Sequence, residues 1–283
     1  MGKLYICGTP IGNLEDVTIR LLKTLRCVDM IACEDTRRTI KLLNRYRIKK
    51  HLVSFHEHSR KSRENYILKK LQQGKHIALV SDAGMPLISD PGQELVRRAI
   101  EAGIEIEVIP GPSALISALV VSGLDSSSFL FEGFLSERKG KRRQSLMRLK
   151  NETKTVILYE SPHRLIDLLA DIEEIMGENR EIVIVRELTK KHEEIKRDTV
   201  GRLRPYFQDK PLCGEITVLI AGREKKEEQV DLEIVAAEVE QLIEMGVDKK
   251  EAFRMKAREH NIKKSIIYDF FLQKNKNSDY RNI

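Results

Sequence analysis

A repeated change of period constrains this chain more than anything else in it. Short β-branched apolar runs recur, and amphipathic helical stretches separate them. The runs Leu4–Cys7, Met30–Cys33, Leu52–Phe55, Ile77–Ser81 and Ile104–Ile109 form a first set. A second set comprises Phe129–Phe131, Val156–Tyr159, Ile182–Arg186 and Ile216–Ala221. Helical spacing fills the gaps, for example over Thr18–Cys27, Arg63–Gln73, Gly92–Ala102 and Arg164–Ile175. This alternation predicts an α/β fold. Ile77–Val80 is apolar throughout, as expected of a strand covered on both faces.

The break at Pro110-Gly111-Pro112 divides the two strand sets. Residues 1–110 are therefore expected to form an N-terminal α/β domain and residues 111–222 a second one. Residues 223–230 (REKKEEQV) carry almost no apolar side chain and read as a linker. Residues 231–283 then change character. Asp231–Met245, Lys249–Glu259 and Lys263–Gln273 suggest a small C-terminal helical domain, with a helix-turn-helix-like spacing between the last two. A length of 283 residues accommodates this plan, and 41% hydrophobic against 33% charged residues is a globular balance.

Three glycine-bearing loops follow strands: Gly8–Asn13, Ser81–Gly92 and Pro110–Ala114. Loops of this kind gather at the carboxyl edge of open α/β sheets, where ligands bind. None of the three contains Lys or Arg, and none has a polyphosphate-binding glycine pattern. Asp82 and Asp90 in the middle loop favour a ligand with amine and hydroxyl groups. For any one loop a tight turn with a helix cap is the simpler reading, and Asp90-Pro91 reads as a helix start.

The strings LYICGTPIGNLEDVTIR, ACEDTRRTIKLL, SFHEHS, LVSDAGMPLISDPG, VIPGPSALISAL and LYESPHRL resemble the tetrapyrrole methylase family. The resemblance runs from Leu4 to Gly222. It implies two α/β domains with S-adenosylmethionine bound in the cleft between them, in a homodimer. In the branch that these strings resemble, it implies 2′-O-methylation of a cytidine ribose in 16S rRNA, at the decoding centre of the small ribosomal subunit. Pro10, Asp82, Ala83, Gly84, Leu87, Ile88, Ser113 and Ala114 are implied donor contacts, with Tyr159, Glu160, Leu188, Glu215 and Ile216 further along.

A ribose hydroxyl is a weak nucleophile, so a base or an orienting group helps. Glu34, Asp35, His56 and Glu57 are the candidate bases, and Arg37 a candidate oxyanion or phosphate contact. Capping of the helix that follows accounts for one acid of Glu34-Asp35 without any catalytic role. No Cys or His cluster has metal-ligand spacing, so no metal is expected.

A net charge of +7 suits a polyanionic partner. Residues 136–150 hold seven Lys or Arg against one Glu, and residues 249–276 nine against three acids. The candidate RNA contacts are Asn13, Arg138, Lys139, Lys141, Arg142, Arg143, Lys263 and Lys264, with Arg138–Arg143 read as a mobile arm. A solvated helix face explains either cluster about as well. Two other functions fit parts of the pattern: a small-molecule methyltransferase of tetrapyrrole type, and a ligand-sensing DNA-binding helix-turn-helix protein. The start lacks a signal-peptide run and no stretch is long enough to span a bilayer, so a cytoplasmic location without membrane contact is expected.

Overall fold

The computed structural model describes residues 1–55, 60–223, 231–260 and 262–279. The chain divides into two compact units, Met1–Arg223 and Glu224–Ile283.

The first unit contains two five-stranded sheets. The first sheet is built from β1 (Lys3–Cys7), β2 (Met30–Cys33), β3 (His51–Ser54), β4 (Ile77–Val80) and β5 (Glu105–Ile109). All its pairings are parallel, in the order β3-β2-β4-β1-β5. Side chains alternate along β1, which sends Leu4 and Ile6 to one face and Cys7 to the other. On the Cys7 face lie α1 (Ile19–Cys27) and α2 (Thr36–Arg45), through Leu21, Leu25, Leu42 and Leu43. On the Leu4 face lie α3 (Arg60–Gln72) and α4 (Gln93–Glu101), through Ile67, Leu71, Leu95 and Ala99. The helix after β1 and the helix after β4 thus cover opposite faces, although these two strands are neighbours. Their carboxyl ends form the topological switch point at which ligands bind in open α/β sheets.

After α5 (Ala114–Ser122), the second sheet comprises β6 (Phe129–Phe134), β7 (Thr155–Glu160), β8 (Glu181–Arg186), β9 (Glu194–Thr199) and β10 (Ile216–Ile220). Its order is β6-β7-β10-β8-β9, and only β6 and β7 run parallel. One face packs on α6 (Lys139–Leu149), α7 (Leu165–Met176) and α8 (Val200–Gln208), through Leu146, Leu168, Ile172, Leu203 and Phe207. The other face takes Leu115, Ala118 and Leu119 of α5.

The stretch 138–143, expected as a mobile arm, is the cap and first turns of α6. Periodicity also missed β9, whose sequence EIKRDT lies on the edge of the sheet and has only one apolar residue to alternate. The helix at Asp90-Pro91 begins later, with Gly92 as its N-cap residue. Arg223, read as linker, is tied to the first unit: its N–H donates to the Glu152 carbonyl at 2.7 Å and its guanidinium to Asn151 at 2.6 Å. The rest of that linker lies outside the described residues.

The second unit contains α9 (Leu232–Glu244), α10 (Lys249–Glu259) and α11 (Lys264–Asp279). Asp231 and Asp248 cap α9 and α10, accepting from Glu233 and Lys250 N–H groups. The three helices bury a core of their own from Val235, Ala236, Val239, Ala252, Phe253, Ile267 and Phe271. Among the described residues no helix is long and apolar enough to cross a membrane.

Candidate functional site

The loops after β1 and β4 are joined by a small antiparallel bridge. Thr9 N–H donates to the Gly84 carbonyl at 2.9 Å, and Gly84 N–H donates back at 3.1 Å. The loop after β5 crosses the first at a point where backbones touch. A Cβ on Gly8 would stand 2.7 Å from the Gly111 backbone, and one on Gly111 equally close to Gly8, so both positions require glycine. The middle loop is held in a rare conformation. Leu87 and Ser89 have φ of 75° and 61°, and beyond β8, Glu187 and Thr189 have φ of 53° and 65°. Non-glycine residues kept in the left-handed region cluster at ligand sites.

These loops and the ends of β7, β8 and β10 enclose a cavity of about 380 Å³. That lies in the range of about 300–1,000 Å³ usual for small-molecule sites. Most of the expected donor contacts line it: Asp82, Ala83, Gly84, Ile88, Ser113 and Ala114 from the first half, Tyr159, Glu160, Leu188, Glu215 and Ile216 from the second. Pro10 does not; it is buried beside the Thr9–Gly84 bridge. Leu87 does not either. Its left-handed backbone turns the side chain onto the core of the first sheet, beside Gly92.

Of the expected catalytic residues, Glu34 lines the cavity, whereas Asp35 and Arg37 do not. Asp35 caps α2, accepting from Arg37 N–H at 2.8 Å, and its carboxylate grips the Arg37 guanidinium at 2.7 Å. These hydrogen bonds hold Asp35 down at about 2, too low for a base at neutral pH. Arg37 otherwise faces solvent. His56 and Glu57 lie outside the described residues.

The cleft also holds residues that motif reading passed over, among them Arg38, Ser89, Phe134 and Val185, together with Asp90, the second carboxylate of the middle loop. Arg38, one turn into α2, faces Asp82 at 3.4 Å and Glu215 at 3.7 Å and so links the two sides of the cavity. It is the one cation on the wall among the described residues, and it is already engaged. Asp82 also accepts the Asp35 N–H at 2.9 Å. Glu160 is 2% exposed. Its Oε1 accepts the Ser161 N–H at 2.7 Å and meets Arg164 at 3.3 Å, while its Oε2 is buried with no hydrogen-bond partner among the described residues. Burial raises this carboxyl above its ordinary value. It raises the Tyr159 phenol as well, to about 12.

The expected RNA contacts are scattered. Arg138, Lys139 and Lys141 are exposed at the start of α6. Arg142 is not available to a phosphate: it is 3% exposed, and its Nε donates to Asp171 of α7 at 2.7 Å. Arg143 is clamped between Asp171 at 3.0 Å and Glu174 at 2.5 Å. Asn13 spends its side-chain oxygen on Glu15 N–H at 3.0 Å. Lys263 is exposed and Lys264 half-exposed in the second unit.

A parallel sheet with its switch point open to a strained loop, facing a mixed sheet across an acid-lined cavity without a free cation among the described residues, defines an α/β enzyme for a small organic ligand. The sequence profile of the tetrapyrrole (corrin/porphyrin) methylases matches residues 3–204. The chain belongs to this family and is a methyltransferase. It is 55% identical over 224 residues to a protein of Thermotoga maritima called ribosomal RNA small subunit methyltransferase I, covering 79% of this chain and 100% of that one. It is 44% identical to a Synechocystis protein of the same name, over 96% of this chain and 98% of the relative. Its fold matches a uroporphyrin-III C-methyltransferase of Thermus thermophilus complexed with S-adenosyl homocysteine. There the TM-score is 0.58 at 13% identity, over 79% of this chain and 98% of the other.

Proposed function

We propose that the chain uses S-adenosylmethionine to methylate the ribose 2′-oxygen of a cytidine in 16S rRNA, at the decoding centre of the small ribosomal subunit. The observation that carries this reading is similarity along almost the whole chain, tail included, to relatives named for small-subunit rRNA methylation.

The cavity fits the donor. Glu160 Oε2 is a buried acceptor awaiting an N–H or O–H, and the donor offers an α-amine, ribose hydroxyls and an adenine amino group. Asp82 and Glu215 provide further acceptors, and Ile88, Val185, Leu188 and Ile216 provide apolar walls for the adenine. S-adenosylmethionine supplies an electrophilic methyl group on a sulfonium. Binding calls for no metal, so titration with S-adenosylhomocysteine in EDTA should give undiminished affinity.

The rRNA is held through cations outside the cleft: Arg138, Lys139 and Lys141 on α6, and Lys263 and Lys264 in the tail. Two copies pair as a homodimer. Support comes from edge strand β5 and its surroundings, where Val108, Ile19, Ile116 and Val120 are exposed apolar side chains.

The test is to map 2′-O-methyl groups in small-subunit RNA from cells with and without the protein, and to restore the mark with purified protein and donor. One missing cytidine methyl, regained on addition, is expected. Unchanged RNA sinks the reading, and a methylated base in place of a ribose corrects its finer part.

A further inference from the structure

Methyl transfer to a hydroxyl releases a proton, and among the described residues five carboxylates line the cleft to receive it: Glu34, Asp82, Asp90, Glu160 and Glu215. That a ligand belongs among them follows independently from Glu160, whose buried Oε2 has no hydrogen-bond partner among the described residues. Most of the five are engaged. Asp82 holds the Asp35 N–H and faces Arg38. Glu215 is shared between Arg38 at 3.7 Å and Lys190 at 3.1 Å. Glu160 is tied to Ser161 and Arg164.

Asp90 differs. It is half-buried and has no ion-pair partner among the described residues. The groups that face it are the Ser81 hydroxyl and Asp82 from its own loop, Glu34 from the end of β2, and Tyr159 from β7. The loop that carries it is held at both ends. The loop is tied at one end by the Thr9–Gly84 bridge. At the other end the Ser89 hydroxyl rests against Gly133 of β6, where a Cβ would come within 3.0 Å. Leu87 and Ser89, both left-handed, fix the turn that leads into Asp90.

We propose that Asp90 is the catalytic residue that accepts the proton of the ribose hydroxyl during methyl transfer. This rests on the function proposed above. The hydroxyl oxygen forms a bond to the methyl carbon as the carbon–sulfur bond opens, leaving its electron pair on sulfur. The hydroxyl proton passes to a carboxylate oxygen of Asp90 and from there to water. Burial, with the charges of Glu34 and Asp82 nearby, pushes Asp90 up to about 7. A base matched to neutral pH combines correct protonation with driving force, which Asp35, held at about 2, does not.

The test compares the wild-type protein with Asp90→Asn and Asp90→Glu. Three measurements are made: single-turnover methylation of small subunits against pH, calorimetric titration with S-adenosylhomocysteine, and 13C-carboxyl NMR titration of the free protein. The wild-type rate should climb about ten-fold per pH unit below neutrality and level off above it. Asp90→Asn should lose that limb and about 10²–10⁴-fold in rate, with S-adenosylhomocysteine affinity unchanged, and Asp90→Glu should recover part of the rate. The Asp90 carboxyl should titrate near neutrality by NMR, which requires no activity. An Asp90→Asn protein that methylates at the wild-type rate overturns this proposal alone, as does one that no longer binds S-adenosylhomocysteine or an NMR midpoint in the ordinary carboxylate range. A wild-type protein that methylates no small-subunit RNA overturns the proposed function, and this assignment with it.

Discussion

Residues 136–150 and 249–276 are both strongly basic and helical, yet they use their charge differently. In the first segment α6 lies against α7, whose acids draw the cations inward. Arg142 is buried on Asp171, and Arg143 bridges Asp171 and Glu174. Arg138, Lys139 and Lys141, before and within the first turn, stay exposed, as do Arg148 and Lys150 at the far end of the helix. In the second segment Arg254, Arg258, Lys263 and Lys264 line one shallow depression formed by α10, the turn after it and the start of α11. Arg254 meets Glu251 at 3.9 Å, a loose pairing. A tally of cations therefore does not separate those that hold helices together from those that can meet a phosphate. A buried acid on the neighbouring element decides.

The largest expected effect tests the inward-facing cations. Arg142→Ala leaves the buried Asp171 short of one partner. It should cost about 3–5 kcal/mol, at the low end because Arg143 remains, and lower the melting temperature clearly. Affinity for S-adenosylhomocysteine at low temperature should not move. The double replacement Arg142→Met with Asp171→Leu should recover most of the lost stability, since the charge left unpaired is removed as well. If Arg142→Ala melts like the wild type, the contrast between the segments fails.

Next comes the tail. Changing Arg254, Arg258, Lys263 and Lys264 together to Gln should leave the melting temperature alone and weaken binding to the small subunit. The log–log salt slope should fall by about 0.7–0.9 for each phosphate that is no longer neutralised. An unchanged slope would place the RNA elsewhere.

The smallest effect belongs to the start of α6. Arg138, Lys139 and Lys141 crowd the positive end of a helix whose first turn has no acid, an arrangement that costs a few tenths of a kcal/mol. Replacing the three with Gln should therefore leave stability equal or slightly higher, while lowering the salt slope by less than the tail changes do. A fall in melting temperature would show that these cations are structural too.

The same contrast runs through what could be read before folding. The central strands of the first sheet were legible because they are buried on both faces: β2 and β4 are unbroken apolar runs between turn residues. The three glycine loops were legible because left-handed or closely approached backbone demands particular residue types, as Gly8, Gly84 and Gly111 show. The strand β9 was illegible because an edge strand with exposed charges has no strong period. Leu87 misled because its motif position suggests a donor contact, while its positive φ sends the side chain to the core.

The alternation of strand and helix, the loops, a cap at the start of α2, and the family were all written in the chain, since each depends on neighbours close along it. Tertiary structure alone decided the strand order that opens the switch point between β1 and β4, the inward turn of Arg142, and the separation of Asp35 from Asp90. Those two carboxyls are the same chemical group, held at about 2 and about 7. What parts them is an adjacent guanidinium in one case, and burial among like charges in the other, brought together by strands that are far apart in the chain.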